Sequence, residues 1–217
     1  MTIPAIEAHL RRYREAGKRP FVTSSFQTRS IPLLHVLSRI DPSIPILFIN
    51  TGFLFPATVE YKDHIAQLLG MRVVNVSSLV PKSQQKNQQG NFYYTSDTDR
   101  CCYYNKVQPL EPYLQTHDVG INGICADQFA NRQRMQIEQE APHGCLRFHP
   151  ILDWTSKMIH EYAVAHQLPA HPMDALGYVS IGCEPCTRKF DAGDERSARW
   201  FGSNKTECGL HTDLAKK

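Results

Sequence analysis

Twice between Phe21 and Leu69 the sequence passes from a short apolar run through a polar connection into an amphipathic stripe. No other feature constrains the fold as much. Phe21 to Phe26 begins apolar and β-branched and ends in hydroxyls, and Ile31, Leu34 and Leu37 then recur on one helical face. Pro45 to Asn50 reads as a buried strand, TGFLFP as its connection, and Tyr61, Ile65, Leu68 and Leu69 as a helical stripe stopped by Gly70. Arg72 to Val76 supplies a third strand. Parallel strands need helical crossovers, so this rhythm predicts an α/β fold built on a parallel sheet.

The following text is polar: Ser77 to Asp99, rich in Gln, predicts a mobile loop, either a solvated linker or a lid over a substrate. Asp97 or Asp99 is placed to cap a helix carrying Cys101 and Cys102. Val119 to Ile124 and Leu146 to Phe148 predict further strands. Asp153 is expected to cap a helix whose Trp154, Met158 and Tyr162 form a core stripe. Beyond Pro169, Pro and Gly punctuate an irregular segment with little helix.

At 217 residues one domain spanning 1–217 is expected. A net charge of +3 is too mild for a nucleic-acid footprint. The first twenty residues lack the pattern of a secretory signal and no apolar run reaches membrane length, so a cytoplasmic protein without a membrane partner is expected.

Seven cysteines, an odd and clustered set, argue against a disulfide framework. Cys101 and Cys102 are adjacent, and Cys183 and Cys186 form a C-x-x-C hook rigidified by Pro185. Four thiolates from two elements point to zinc or an iron–sulfur centre. Neighbouring helical side chains diverge by about 100°. Cys101 and Cys102 therefore reach one small ion awkwardly, and a 4Fe-4S cluster with separate iron corners is favoured over zinc; four buried thiols, or a thiol–disulfide redox pair, remain the alternatives. Cys125 and Cys145 have no partner spacing and read as packing residues. Cys208, in KTECGLH between Lys205 and His211, sits where cationic neighbours would favour a reactive thiolate, although a lone tail cysteine is equally an accident of the surface.

Several segments together decide between these readings: SSFQTRS (24–30), NTGFLFP (50–56), CCYYNKVQPL (101–110), GYVSIGCEPCTR (177–188), ERSARW (195–200) and KTECGLH (205–211). They resemble the assimilatory adenylyl-sulfate (APS) and phosphoadenylyl-sulfate (PAPS) reductases, over most of the chain. The resemblance implies a Rossmann-like sheet of the adenine nucleotide alpha-hydrolase type, with an irregular C-terminal segment carrying the reactive cysteine. It implies that Cys208 attacks the sulfur of APS, leaving an S-sulfonate and releasing AMP, and that thioredoxin or glutaredoxin then frees sulfite. It implies a 4Fe-4S cluster on Cys101, Cys102, Cys183 and Cys186, a phosphate loop shaped by Ser24, Ser25 and Phe26, and an adenosine side at Thr51 and Gly52. By the same resemblance Lys106 links cluster and substrate, Arg196 and Arg199 pair with phosphate and sulfate oxygens, and His211 positions the closing tail. Cluster-bearing members generally use APS, which favours APS here, with PAPS as the alternative. No redoxin domain follows the ECGLH motif, so the reductant is expected to be a separate protein; a homo-oligomer is also compatible.

The match has gaps. Asn105 stands where the family commonly has Arg, Gln27 where a loop Gly is usual, and Cys125 and Phe129 where a G-x-R-x-x-Q-S pattern places Arg and Ser. Arg132 fits the later Arg of that pattern and is expected to compensate. An adenylating or RNA-thiolating relative would carry SGGxDS where this chain reads SSFQTRS. A degenerate nucleotide- or cluster-binding module is the non-catalytic alternative.

Overall fold

The structure, a computed structural model, describes residues 1–128, 130–190, 198–200, 205 and 210, with residues 130 and 131 described by backbone alone. Strands β1 (Pro20–Thr23), β2 (Ile46–Ile49), β3 (Val73–Val76), β4 (Val119–Asn122), β5 (Glu138–Glu140) and β6 (Leu146–Phe148) form one sheet in the order β3-β2-β1-β4-β6-β5. All neighbours pair in parallel except β5, which runs antiparallel to β6. The helices are α1 (Ile3–Glu15), α2 (Ile31–Ile40), α3 (Pro56–Leu69), α4 (Tyr93–Ser96), α5 (Thr98–Cys102), α6 (Gln108–Thr116) and α7 (Ser156–Ala165). None of the described helices is long and apolar enough to cross a membrane.

Side chains alternate across the strands, so one sequence feeds two cores. Val22, Ile46, Phe48 and Ile121 face a large core built with α1, α2, α3 and α7, while Phe21, Leu47 and Val76 face a smaller one that includes Leu110 of α6. With helices on both faces, the strands read as nearly continuous apolar runs, as parallel strands should.

The predicted β1–α2–β2–α3–β3 succession is present, and Gly70 ends α3 in the left-handed conformation (φ 62°). Asp97 caps α5, its Oδ1 accepting from the Arg100 N–H at 2.9 Å. Pro109 and Pro112 then withhold two backbone donors, and the chain passes from α5 through a wide π-turn, Tyr103–Val107, into α6.

Three expectations change. Asp153 does not cap α7; Thr155 does, its Oγ1 accepting from the Met158 N–H, while Asp153 takes the Met1 ammonium. Trp154 and Tyr162 pack on the core as expected, but Met158 is largely exposed and Ile159 takes the inward place. The segment from Ser77 to Asp99 is not a featureless loop. Gln85 is buried and exchanges two amide hydrogen bonds with Asn105, at 3.0 and 2.6 Å, and donates a third to the Val80 carbonyl. A polar sequence concealed this because its anchor is itself polar.

Among the elements without a counterpart in the sequence reading are α1 and the edge strand β5. Glu138 of β5 is held by Tyr13, Arg12 and His9, all from α1. Burial alone would raise the Glu138 carboxyl, but the hydrogen bonds from Tyr13 and His9 and the Arg12 charge outweigh it and hold the group below its ordinary range.

Candidate active site

The chain leaves β1 toward β2 and β3 on one side and returns to β4 on the other, so the connections after β1 and β4 diverge. Open α/β sheets bind ligands at such a switch point, beyond the carboxyl ends of the strands. A cleft of about 420 Å³ opens there. Ser24, Ser25 and Gln27 line it from the β1 connection, and Asn122, Gly123 and Ile124 from the end of β4. The described lining residues include four cationic side chains, Arg29, Lys106, Arg132 and Arg199, and a single carboxylate, Asp127. That carboxylate is engaged, accepting from the Ser156 N–H (2.6 Å) and hydroxyl (2.7 Å) at the start of α7 and pairing with Arg29. The described lining is predominantly cationic.

A second, smaller recess adjoins it, lined by all four predicted ligand cysteines, Cys101, Cys102, Cys183 and Cys186, with Phe53, Tyr94 and Pro185. Thr51, Lys106 and Cys183 line both spaces and so form their common wall. The Thr51 hydroxyl lies 3.3 Å from the Cys183 sulfur and accepts from the Phe53 N–H. Glu184 donates its N–H to the Phe53 carbonyl at 2.7 Å, so the TGFLFP connection and the C-x-x-C hook are laced together. Burial, and then the neighbouring cysteines, push the Cys101 thiol up to about 12; burial and Cys183 likewise raise Cys186. Four thiolates in this recess need a positive centre to hold them. Its cysteines supply four soft sulfur donors, and the described lining includes no carboxylate or imidazole, a set that suits iron–sulfur. Among the described residues no three His, Cys, Asp or Glu side chains are grouped to hold a single metal ion.

The remaining predicted positions divide into lining and supporting residues. Ser25 lines the cleft, and the buried Ser24 hydroxyl accepts from the Phe26 N–H at 3.0 Å. Phe26, at φ 52°, turns its ring into the core edge-on to Phe48 and shapes the loop from beneath rather than lining it. Gly52 does not line the cleft; its carbonyl accepts from Lys82, and a Cβ there would lie 2.6 Å from the Lys82 Nζ. Arg132 is buried and donates to Gln128. Arg199 lines the cleft but also braces it, donating to the Cys186 and Ile181 carbonyls and the Ser180 hydroxyl, each at 3.3 Å. Cys125 and Cys145 are buried packing residues, as expected. Cys208, Arg196, His211 and Phe129 lie outside the described residues.

Sequence reasoning missed Arg29, although it stands inside the SSFQTRS segment. Burial, followed by Asp127, pushes the Cys125 thiol up to about 11, while Arg29 and Arg132 work against that rise. Arg29 therefore lies beside the position whose expected cation is missing. The Gln27 departure also has a structural use: its amide nitrogen donates to the Ser25 hydroxyl (3.2 Å) and its oxygen accepts from the Ile181 N–H (3.1 Å), tying the β1 connection to the C-x-x-C segment. Asn105 spends its amide on Gln85 and on the Cys101 carbonyl (2.9 Å), with the Cys101 sulfur 3.6 Å away.

Residues 19–189, which include both cysteine pairs and both strand-end connections, match the family described as the phosphoadenosine phosphosulfate reductase domain. The chain belongs to this reductase family. Over 95% of its length it is 37% identical to the adenosine 5'-phosphosulfate reductase of Chelativorans sp. (strain BNC1), covering 84% of that protein. It is 35% identical to the phosphoadenosine 5'-phosphosulfate reductase of Gloeobacter violaceus, over 90% of this chain and 83% of that one. A crystal structure of the PAPS reductase from Candida auris in a phosphate complex superposes with a TM-score of 0.66 at 18% identity, covering 82% of this chain and 87% of the other, and shares its fold. Membership makes the protein an oxidoreductase of sulfate reduction, with the Rossmann-like parallel sheet that the resemblance implied.

Proposed function

We propose that the protein reduces APS to sulfite and AMP, with Cys208 as nucleophile. The observation that carries this reading is the shared wall: a cleft with a cationic lining at the switch point abuts a recess of four cysteines through Thr51, Lys106 and Cys183. The Cys208 thiolate attacks the sulfur of APS, the sulfur–oxygen bond to the phosphate breaks, and AMP departs with the electron pair. Two thiolates of a thioredoxin or glutaredoxin then displace sulfite, one dithiol becoming a disulfide and Cys208 returning as thiolate. Covalent catalysis of this kind divides a hard displacement into two easier ones. Leu210, two positions after Cys208, lines the cleft and packs on the smaller core, which supports bringing the tail to the substrate.

In this reading Ser24, Ser25 and the Phe26 backbone shape the phosphate side, and Thr51 and Gly52 the adenosine side. Arg29, Lys106, Arg132, Arg196 and Arg199 supply positive charge, guanidinium forks being suited to phosphate and sulfate oxygens, and His211 positions the tail. Cys101, Cys102, Cys183 and Cys186 would hold a 4Fe-4S cluster, which when bound places a polarisable charge behind the common wall. A cytoplasmic setting and a separate reductant complete the proposal.

Anaerobic incubation with APS followed by peptide mass spectrometry is expected to find the sulfonate on Cys208; an unmodified Cys208 in iron-replete protein would reject the mechanism. PAPS is the second reading, favoured by the near-equal similarity to the Gloeobacter protein, and competition between the two nucleotides in turnover separates them. A further test lies at Gly182, where a Cβ would lie 2.6 Å from the Arg199 Cζ. Gly182→Ala should push this guanidinium aside and raise KM for the nucleotide about tenfold, the scale of one charge-assisted hydrogen bond.

A further inference from the structure

Two polar residues at the sheet's carboxyl edge take no part in the mechanism above. The parallel register pairs Ile121 with Phe148, so the next residues, Asn122 and His149, emerge side by side from β4 and β6. His149 is wholly buried, and its Nδ1 lies 2.7 Å from the Asn122 Oδ1. The Ile124 N–H reaches the same Asn122 atom at 3.4 Å. A backbone N–H only donates, which makes that atom the amide oxygen and forces His149 to donate through Nδ1–H. The other ring nitrogen, Nε2, is then a bare acceptor, buried and without a hydrogen-bond partner among the described residues. Burial, with Arg147 and Arg132 adding to it, lowers the His149 pKa to about 4, so the ring is neutral. An unpartnered buried acceptor is normally selected against and calls for an explanation.

The consequence falls on the other end of the amide. With its oxygen taken twice, Asn122 has its Nδ2 left over among the described residues, and the residue lines the cleft beside Ile124 and Arg132. We propose that His149 is a positioning residue that fixes the Asn122 side chain so that its NH₂ donates to a phosphoryl oxygen of the bound nucleotide. The pair makes one orientation of the amide far better than its flip. A flipped amide would set its NH₂ against the Ile124 N–H, oblige the His149 proton to move from Nδ1 to the buried Nε2, and offer the anion an oxygen. The inference rests on the nucleotide-reductase reading and adds a donor to it that the motifs do not contain.

The test is calorimetric titration of the full chain with AMP and, separately, with adenosine, in wild type, His149→Phe and His149→Asn. Phe removes the donor and the orphaned acceptor together; Asn restores a donor in the place of Nδ1. His149→Phe is expected to weaken AMP about tenfold, the scale of a hydrogen bond to a charged group. His149→Asn should stay within about threefold, and adenosine should change by less than about twofold in both. Equal losses for AMP and adenosine, or no loss for either, would overturn the proposal. Should His149→Phe not fold, the wild-type side-chain amide resonance of Asn122 decides: it must move on addition of AMP and stay on addition of adenosine. Wild-type protein that binds no AMP would remove the reductase reading along with this one, whereas normal AMP binding and sulfite release with indifferent variants would remove only this one.

Discussion

Cys208→Ser is expected to cut sulfite release from APS by on the order of a thousandfold or more, the scale on which enzymes lose rate when a nucleophile is removed. The alcohol of serine is not ionised at neutral pH and, once sulfonated, would give an ester that a dithiol cannot cleave by disulfide exchange. AMP affinity should survive, because the cleft residues Ser25, Lys106, Arg132 and Arg199 are untouched. Steady-state sulfite assays with a dithiol reductant, alongside AMP titration, measure the two together. Full sulfite output from the serine variant would refute the role given to Cys208.

The second large effect concerns the recess. Anaerobically purified protein is expected to be brown with about four irons per chain, and Cys101→Ser or Cys186→Ser to lose most of that iron. Each of these two cysteines lines the recess, so its loss takes one sulfur from a set of four that would share the cluster. Iron analysis, the visible absorption spectrum and thermal unfolding of the same preparations report the loss without reference to turnover. Zinc at about one per chain, or iron unaffected in both variants, would reject the cluster.

Much of the scaffold was legible because its signals are local. The β1–α2–β2–α3–β3 succession follows from apolar periodicity, Gly70 from its place after the last stripe, and Asp97 from capping chemistry. The four cysteines were legible as a set through their spacing, and the structure lines one recess with all of them. What escaped depends on partners distant in sequence. Gln85 looks like any glutamine of a polar tract until Asn105 is beside it, twenty positions on. Asn122 and His149 meet only because β4 and β6 pair in a particular register. Asp153 and Thr155 are both good caps, and α7 uses Thr155 while the chain's own amino group takes the aspartate. Arg29 was visible in a quoted motif, but its place beside Cys125 is a fact of three dimensions.

Strand β5 has a consequence for how copies of this protein meet. A sheet's last strand offers unpaired backbone groups on which another chain can build, and natural proteins blunt that risk with shortness and charge. Here the terminal strand is three residues long, runs against the grain of the other five, and bears Glu138 and Glu140, the first pinned back to α1. Fibrillar growth from this side would have to set carboxylate against carboxylate. Solubility at high concentration is thus protected at that border by side chains that add almost nothing to the hydrophobic interior.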